Sequence, residues 1–67
     1  MANFKISLAA CRVNAGFSQK KLSEVLGVSV MTLSHWENGR IEPPYSVVRR
    51  ISELSGVPMD YIFVHSD

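Results

Sequence analysis

Sixty-seven residues, 46% of them apolar and carrying a formal net charge of +1, fit one small domain (1–67) and fall short of two hydrophobic cores and of most enzyme scaffolds. Ordering such a chain costs on the order of 100 kcal/mol at about 1.5 per residue, so efficient helix packing or a partner subunit is the expected remedy for a small core. One cysteine, Cys11, excludes an internal disulfide, no run approaches the ~18 apolar residues of a membrane span, and no apolar stretch follows a basic start; a soluble protein of the reducing cytoplasm is expected.

Phe4, Leu8, Cys11 and Ala15 recur at helical spacing and predict a first helix ended by Gly16. Ser18 is a good N-cap for a second helix with Leu22, Val25 and Leu26 on its apolar side, stopped by Gly27; Phe17, just before the cap, can staple against Leu22 or the first helix. Ser29 caps a third helix that runs through Trp36 to Asn38-Gly39. Pro43 forces Glu42 out of the helical region, and Pro44 suits the first turn of a fourth helix whose inner face is Tyr45, Val48, Ile51 and Leu54 or Ser55, up to Gly56. A short last turn starts at Pro58 or Met59 and passes through Tyr61 and Ile62. The expected architecture is an all-α bundle of four or five helices, with no repeat or low-complexity tract.

Only Gly27 and Val28 separate the second helix from the Ser29 cap. So short a link with a left-handed glycine cannot make an antiparallel hairpin and sets the helices at a steep angle, the helix-turn-helix arrangement (motif about 18–38) in which the second helix enters the major groove. That arrangement needs inward apolar residues at Leu22, Leu26, Val28, Leu33 and Trp36 and a small residue where the helices cross, here Ser23. Charge segregates in step: Met1 to Arg40 carries Lys5, Arg12, Lys20, Lys21 and Arg40 against Glu24 and Glu37, a balance of +3, while Ile41 to Asp67 carries Arg49 and Arg50 against Glu42, Glu53, Asp60 and Asp67, a balance of −2. An anion-binding front half shows such asymmetry, and so does an ordinary solvated face.

The run from Gly16-Phe17-Ser18-Gln19 through Gly27-Val28-Ser29 to Trp36-Glu37-Asn38-Gly39, followed by Pro43, Gly56-Val57 and Tyr61-Ile62, resembles the Cro and phage-repressor helix-turn-helix family, also called the XRE family, over nearly the whole chain. The resemblance implies a five-helix all-α domain that binds operator DNA as a two-fold dimer and represses, or less often activates, transcription. Turning about 100° per residue from Val30 places Met31, Ser34 and His35 on one side of the third helix and Leu33, Trp36 and Glu37 on the other, with Val30 at the margin. The resemblance assigns base reading to Val30, Met31 and His35, and the outward arc adds Ser34. Val30 and Met31 lack bidentate donors, which leaves thymine methyls as their contact and gives DNA shape a share of the specificity; core packing of Val30 and gap-filling by Met31 are the structural alternatives. His35 is a base or phosphate contact, or a surface histidine.

For phosphate contact the candidates are Gln19, at the start of the second helix where free N–H groups and the helix dipole favour an anion, and Ser29, whose first role is as a cap. Asn38 and Arg40 resemble the family's loop donors; Lys20, Lys21 and the sideways Thr32 are further contributors. Glu37 lies on the inward arc and needs a cationic partner. Arg12 is the candidate, and the resemblance implies this pair as a bridge from the first helix to the end of the third, with the arginine also near phosphate. Ser23, Ser52 and Ser55 stand where the family commonly has Ala, Ala and Leu, which thins the core. The apolar tail Tyr61-Ile62-Phe63-Val64, with Pro44 and Tyr45 as neighbours, is the candidate homodimer surface, or else a cap on the monomer core.

Cys11, His35 and His65 lie on different elements without ligand spacing, so no metal is expected and Cys11 reads as a packed core thiol. No nucleophile–base pair, carboxylate pair or phosphate loop points to an enzyme, and no cofactor or small-molecule substrate is expected. The leading expectation is a stand-alone Cro-like repressor of phage, prophage or plasmid type, acting on double-stranded operator DNA and regulated by its concentration. The alternatives are an antitoxin that also binds a toxin, and a protein-interaction module with a degenerate helix-turn-helix.

Overall fold

The computed structural model describes residues 5–64. In chain order these form a two-residue strand β1 (Ile6–Ser7), four helices, α1 (Leu8–Asn14), α2 (Gln19–Leu26), α3 (Val30–Asn38) and α4 (Tyr45–Ser55), a 3₁₀ turn (Met59–Tyr61) and a second short strand β2 (Ile62–Phe63). The all-α expectation holds for the body of the domain. The fifth helix does not form: Ile62 turns extended (φ −89°, ψ 126°) after three residues. It then pairs in parallel with the N-terminal segment, Ile6 opposite Ile62 and Ser7 opposite Phe63.

The first helix is shorter than its apolar stripe predicts. Ser7 is extended (φ −70°, ψ 161°), and its side chain accepts a hydrogen bond from the Ala10 N–H, so the helix begins at Leu8. Phe4, placed on that stripe, lies outside the described residues. The later boundaries follow their local signals. Ser18 accepts from the Lys21 N–H at the start of α2, and Ser29 accepts from the Thr32 N–H at the start of α3. Pro44 occupies the N-cap of α4, one position earlier than expected.

Leu8, Cys11, Leu22, Leu33, Trp36, Val48, Ile51, Val57 and Ile62 form one core, with Phe17, Leu26, Val28, Val47 and Leu54 packed against it. All five apolar positions that the helix-turn-helix requires are therefore in or against the core. Tyr45 is not: it sits exposed at the first position of α4, and Val47 packs against the core in its stead.

The serines that stand where the family commonly has apolar residues are satisfied locally. Ser23, buried where α2 meets α3, donates to the Lys20 carbonyl at 2.7 Å. Ser52 donates to the Val57 carbonyl at 2.6 Å, and Ser55 accepts from the Val57 N–H at 3.2 Å. The last two pin the chain beyond Gly56 and direct it toward β2, a polar brace where a leucine would fill volume.

Candidate nucleic-acid interface

Gly27 holds the left-handed conformation (φ 76°, ψ 29°) between α2 and α3. The next N–H, that of Val28, donates back to the Ser23 carbonyl at 2.9 Å, which closes the end of α2 as a tight left-handed cap. Two residues later Ser29 starts the next helix. Its hydroxyl oxygen accepts the Thr32 N–H and its hydroxyl hydrogen goes to Thr32 Oγ1, both at 3.0 Å.

On α3 the two arcs separate as the periodicity requires. Leu33 and Trp36 are buried, Ser34 and His35 are half-buried, and Val30 and Met31 stand 42% and 68% exposed at the first two helical positions. Val30 is thus not a core residue, and Met31 fills no gap in the monomer. Asn38, at the C-terminal end of the same outward side, accepts the Arg40 N–H on its Oδ1 at 3.2 Å. The Arg40 N–H also reaches the His35 carbonyl at 2.9 Å, so the loop after α3 is folded back onto the helix end.

Behind that face lies a polar clamp. Arg12 Nε donates to Glu37 Oε2 at 2.7 Å and Nη2 to Oε1 at 3.3 Å, while Nη1 donates to the Phe17 carbonyl at 3.0 Å. The two side chains are only 16% and 7% exposed, and the fork-on-carboxylate geometry is the strong form of an ion pair. Gln19 joins them, its Nε2 donating to Glu37 Oε1 at 3.0 Å. The Arg12–Glu37 pairing expected from sequence is present; the Gln19 arm has no sequence signal, since nothing in a linear sequence marks which way a glutamine at a helix start will turn.

The phosphate-contact candidates therefore fall into two groups. Lys20 and Arg40 are exposed on either side of the motif and make no ion pair among the described residues. Arg12, Gln19, Ser29, Thr32 and Asn38 each have part of their hydrogen-bonding capacity committed within the protein. One N–H of the Gln19 amide is held by Glu37. The Ser29 hydroxyl is used by its own cap, which also takes the Thr32 N–H and leaves the Val30 and Met31 amides as the donors at that end.

A model of the helix-turn-helix family matches residues 8–62. The chain belongs to that helix-turn-helix family. It is 29% identical over 55 residues to a prophage-derived, uncharacterized HTH-type transcriptional regulator, YonR of Bacillus subtilis. The match covers 82% of this chain and 51% of the relative, so the chain spans about half the length of the regulator it resembles. No solved structure matches it. Within the family frame, the clamp and the two caps are what fix α3 with its Met31 side outward.

The expected dimer set divides. Ile62 is buried in the core of its own chain and pairs with Ile6, and Val64 packs against that core. Ile62 is therefore corrected from a partner contact to a core residue: the return of the tail to the N-terminal segment buries it at home. Pro44, Tyr45, Tyr61 and Phe63 remain exposed. Ile41 and Val13, which no periodicity singled out, are exposed as well.

Cys11 is wholly buried, and burial pushes its thiol up. His65 lies outside the described residues, and among those described no three His, Cys, Asp or Glu side chains come together as a metal site. No helix among them is long and apolar enough to cross a membrane.

Proposed function

We propose that this protein is a sequence-specific DNA-binding transcriptional regulator, a Cro-like repressor of phage or prophage type that acts in the cytoplasm by binding rather than catalysis. The observation that carries the reading is the division of α3: one side is locked to the core through Leu33, Trp36 and Glu37, and the opposite side projects Val30 and Met31 with Ser34, His35 and Asn38 along the same flank. A helix so held enters a major groove without rearrangement. Met31, Ser34, His35 and Val30 face the bases. The α2 N-terminus with Gln19 and Lys20, the α3 N-terminus with Ser29 and Thr32, and the loop with Asn38 and Arg40 flank the groove and meet phosphates. Arg12 lies behind them as a brace with its remaining N–H groups toward the backbone.

Two copies on a pseudo-palindromic operator complete the proposal, associating through Tyr45, Tyr61 and Phe63 with Pro44 and Val64 at the margin. The exposed aromatic side chains equally favour one second reading, an antitoxin that offers this surface to a foreign protein; recovery of a fixed second chain on purification selects it.

A gel shift on the DNA around its own gene at two salt concentrations tests the regulator reading. Binding that survives added salt on one pseudo-palindrome supports it, and equal, salt-labile binding to every fragment refutes it. Gln19→Ala and Arg40→Ala weaken all operators alike, whereas Met31→Ala and His35→Ala change the preference among them. Uniform loss for Met31 and His35 overturns their assignment as base readers.

A further inference from the structure

The first two residues of α3 carry side chains that neither donate nor accept a useful hydrogen bond. Val30 and Met31 are exposed at 42% and 68%, and the Ser29 cap fixes the turn that carries them. The polar members of the same face, Ser34 and His35, sit farther along the helix and are half-buried. The major-groove edges present hydrogen-bond donors and acceptors and small ring C–H groups, and the C5-methyl of thymine is their one sizeable apolar group. A valine or methionine laid on a polar edge strips its water and replaces none of its hydrogen bonds, which is unfavourable. Laid on a methyl, the same side chain buries apolar surface on both partners. The methyl therefore decides the sign of the contact.

5-Methylcytosine carries a methyl at the same ring position as thymine, with an N4 amino group beside it in place of the O4 carbonyl. Valine cannot tell those neighbours apart, and the methionine thioether is only a weak acceptor. We propose that the first turn of α3, through Val30 and Met31, is a reader of C5-methylated pyrimidines, accepting thymine or 5-methylcytosine and discriminating against bases that lack the methyl. The inference rests on the reading of α3 as the groove-entering helix. It adds the chemical class of base taken at one end of that helix, and sensitivity to cytosine methylation in the operator.

The test starts from a randomised 20-base-pair duplex pool selected on the full chain, followed by resynthesis of the winning duplex. Two comparisons alter only the methyl. Deoxyuridine replaces thymidine at each thymine of the half-site in turn, and at each of those positions a C·G pair put in place of T·A is compared with a 5-methylcytosine·G pair. The expected result is a position, or an adjacent pair of positions, where removing the methyl weakens binding about fourfold, and where a 5-methylcytosine·G pair binds about fourfold tighter than C·G. In Met31→Ala, whose helical content is checked by circular dichroism, at least one of those ratios falls toward one; in Met31→Leu it persists.

Binding of the deoxyuridine duplex equal to that of the thymidine duplex at every position overturns the inference while leaving the regulator reading intact. So does a methyl dependence unchanged in Met31→Ala and in Val30→Ala. Failure of the pool to yield any bound duplex overturns the regulator reading and this inference with it.

Discussion

On the inward side of α3, Leu33 and Trp36 are sealed in the core and Glu37 receives three hydrogen bonds from Arg12 and Gln19. On the outward side, two turns or less away, Met31 projects with no contact of that kind and Asn38 folds only its own loop. The same nine-residue helix thus carries one face on which nearly every group is committed and one whose leading side chains are left free. A face of this kind is inexpensive to vary: residues on the outward arc can change and leave the scaffold alone, because the stability of the helix is supplied from behind.

The contrast breaks most severely at Glu37. Glu37→Ala leaves the largely buried Arg12 guanidinium without its carboxylate, and loss of one member of a buried pair costs about 3–5 kcal/mol. For a 67-residue chain that is comparable to the whole stability, about 3–10 kcal/mol, so the urea midpoint should collapse; a loss under about 1 kcal/mol would show that the clamp does not hold α3. Next comes the turn between the helices. Gly27→Ala meets no atom within 4 Å, so its cost is the left-handed backbone alone, about 1–2 kcal/mol, read as a lowered Tm with unchanged helical content. Ser29→Ala removes the cap that presents the first turn and should cost about 1 kcal/mol.

Met31→Ala sits at the other end of the scale. An exposed side chain away from caps and core shifts stability by no more than about 0.5 kcal/mol. A larger loss in equilibrium denaturation would mean that Met31 packs against something and would remove the division between the faces. The finest test is alkaline. Burial raises the Cys11 thiol above its ordinary value, so the unfolded chain gives up this proton before the folded one does. The stability that comes from keeping the thiol neutral is complete below the unfolded-state value and is lost as the pH rises through the folded-state value. Urea midpoints followed into that alkaline window should fall more steeply for the wild type than for Cys11→Ala.

Much of the candidate site was legible in order along the chain. Caps and stops are local chemistry, and Ser18, Gly27, Ser29 and Gly39 act where they stand. The outward set of α3 follows from helical pitch, since Met31, Ser34 and His35 stand one, two or five places from Leu33 and Trp36, whereas only residues three or four places apart share a face. Glu37 reads as a carboxylate that needs a cation, because its inward position leaves water no role. Gln19 carries no such signal: its place at a helix start points to phosphate, and its hydrogen bond to Glu37 exists only in the fold. That contact joins residues 18 positions apart, and no spacing rule encodes it.

The tail shows the same boundary from the other side. Apolar content in Tyr61-Ile62-Phe63-Val64 signals burial without naming the surface that provides it. The fold divides the segment, taking Ile62 into the core beside Ile6 and leaving Tyr61 and Phe63 exposed. Likewise Ser52 and Ser55 read as a thinned core in one dimension and prove to brace the turn into Val57 in three.

Length, helical pitch, capping residues and left-handed glycines by themselves determined that this protein is a small helical domain built around a short helix–turn–helix with Met31, Ser34 and His35 on one arc, since each of these is a consequence of covalent geometry within one or two turns. The tertiary structure alone decided that β1 captures Ile62, that Gln19 leans on the Arg12–Glu37 clamp, and that Val30 stands in the open. Those outcomes depend on which distant surfaces meet, and their energies exist only once the chain has closed on itself.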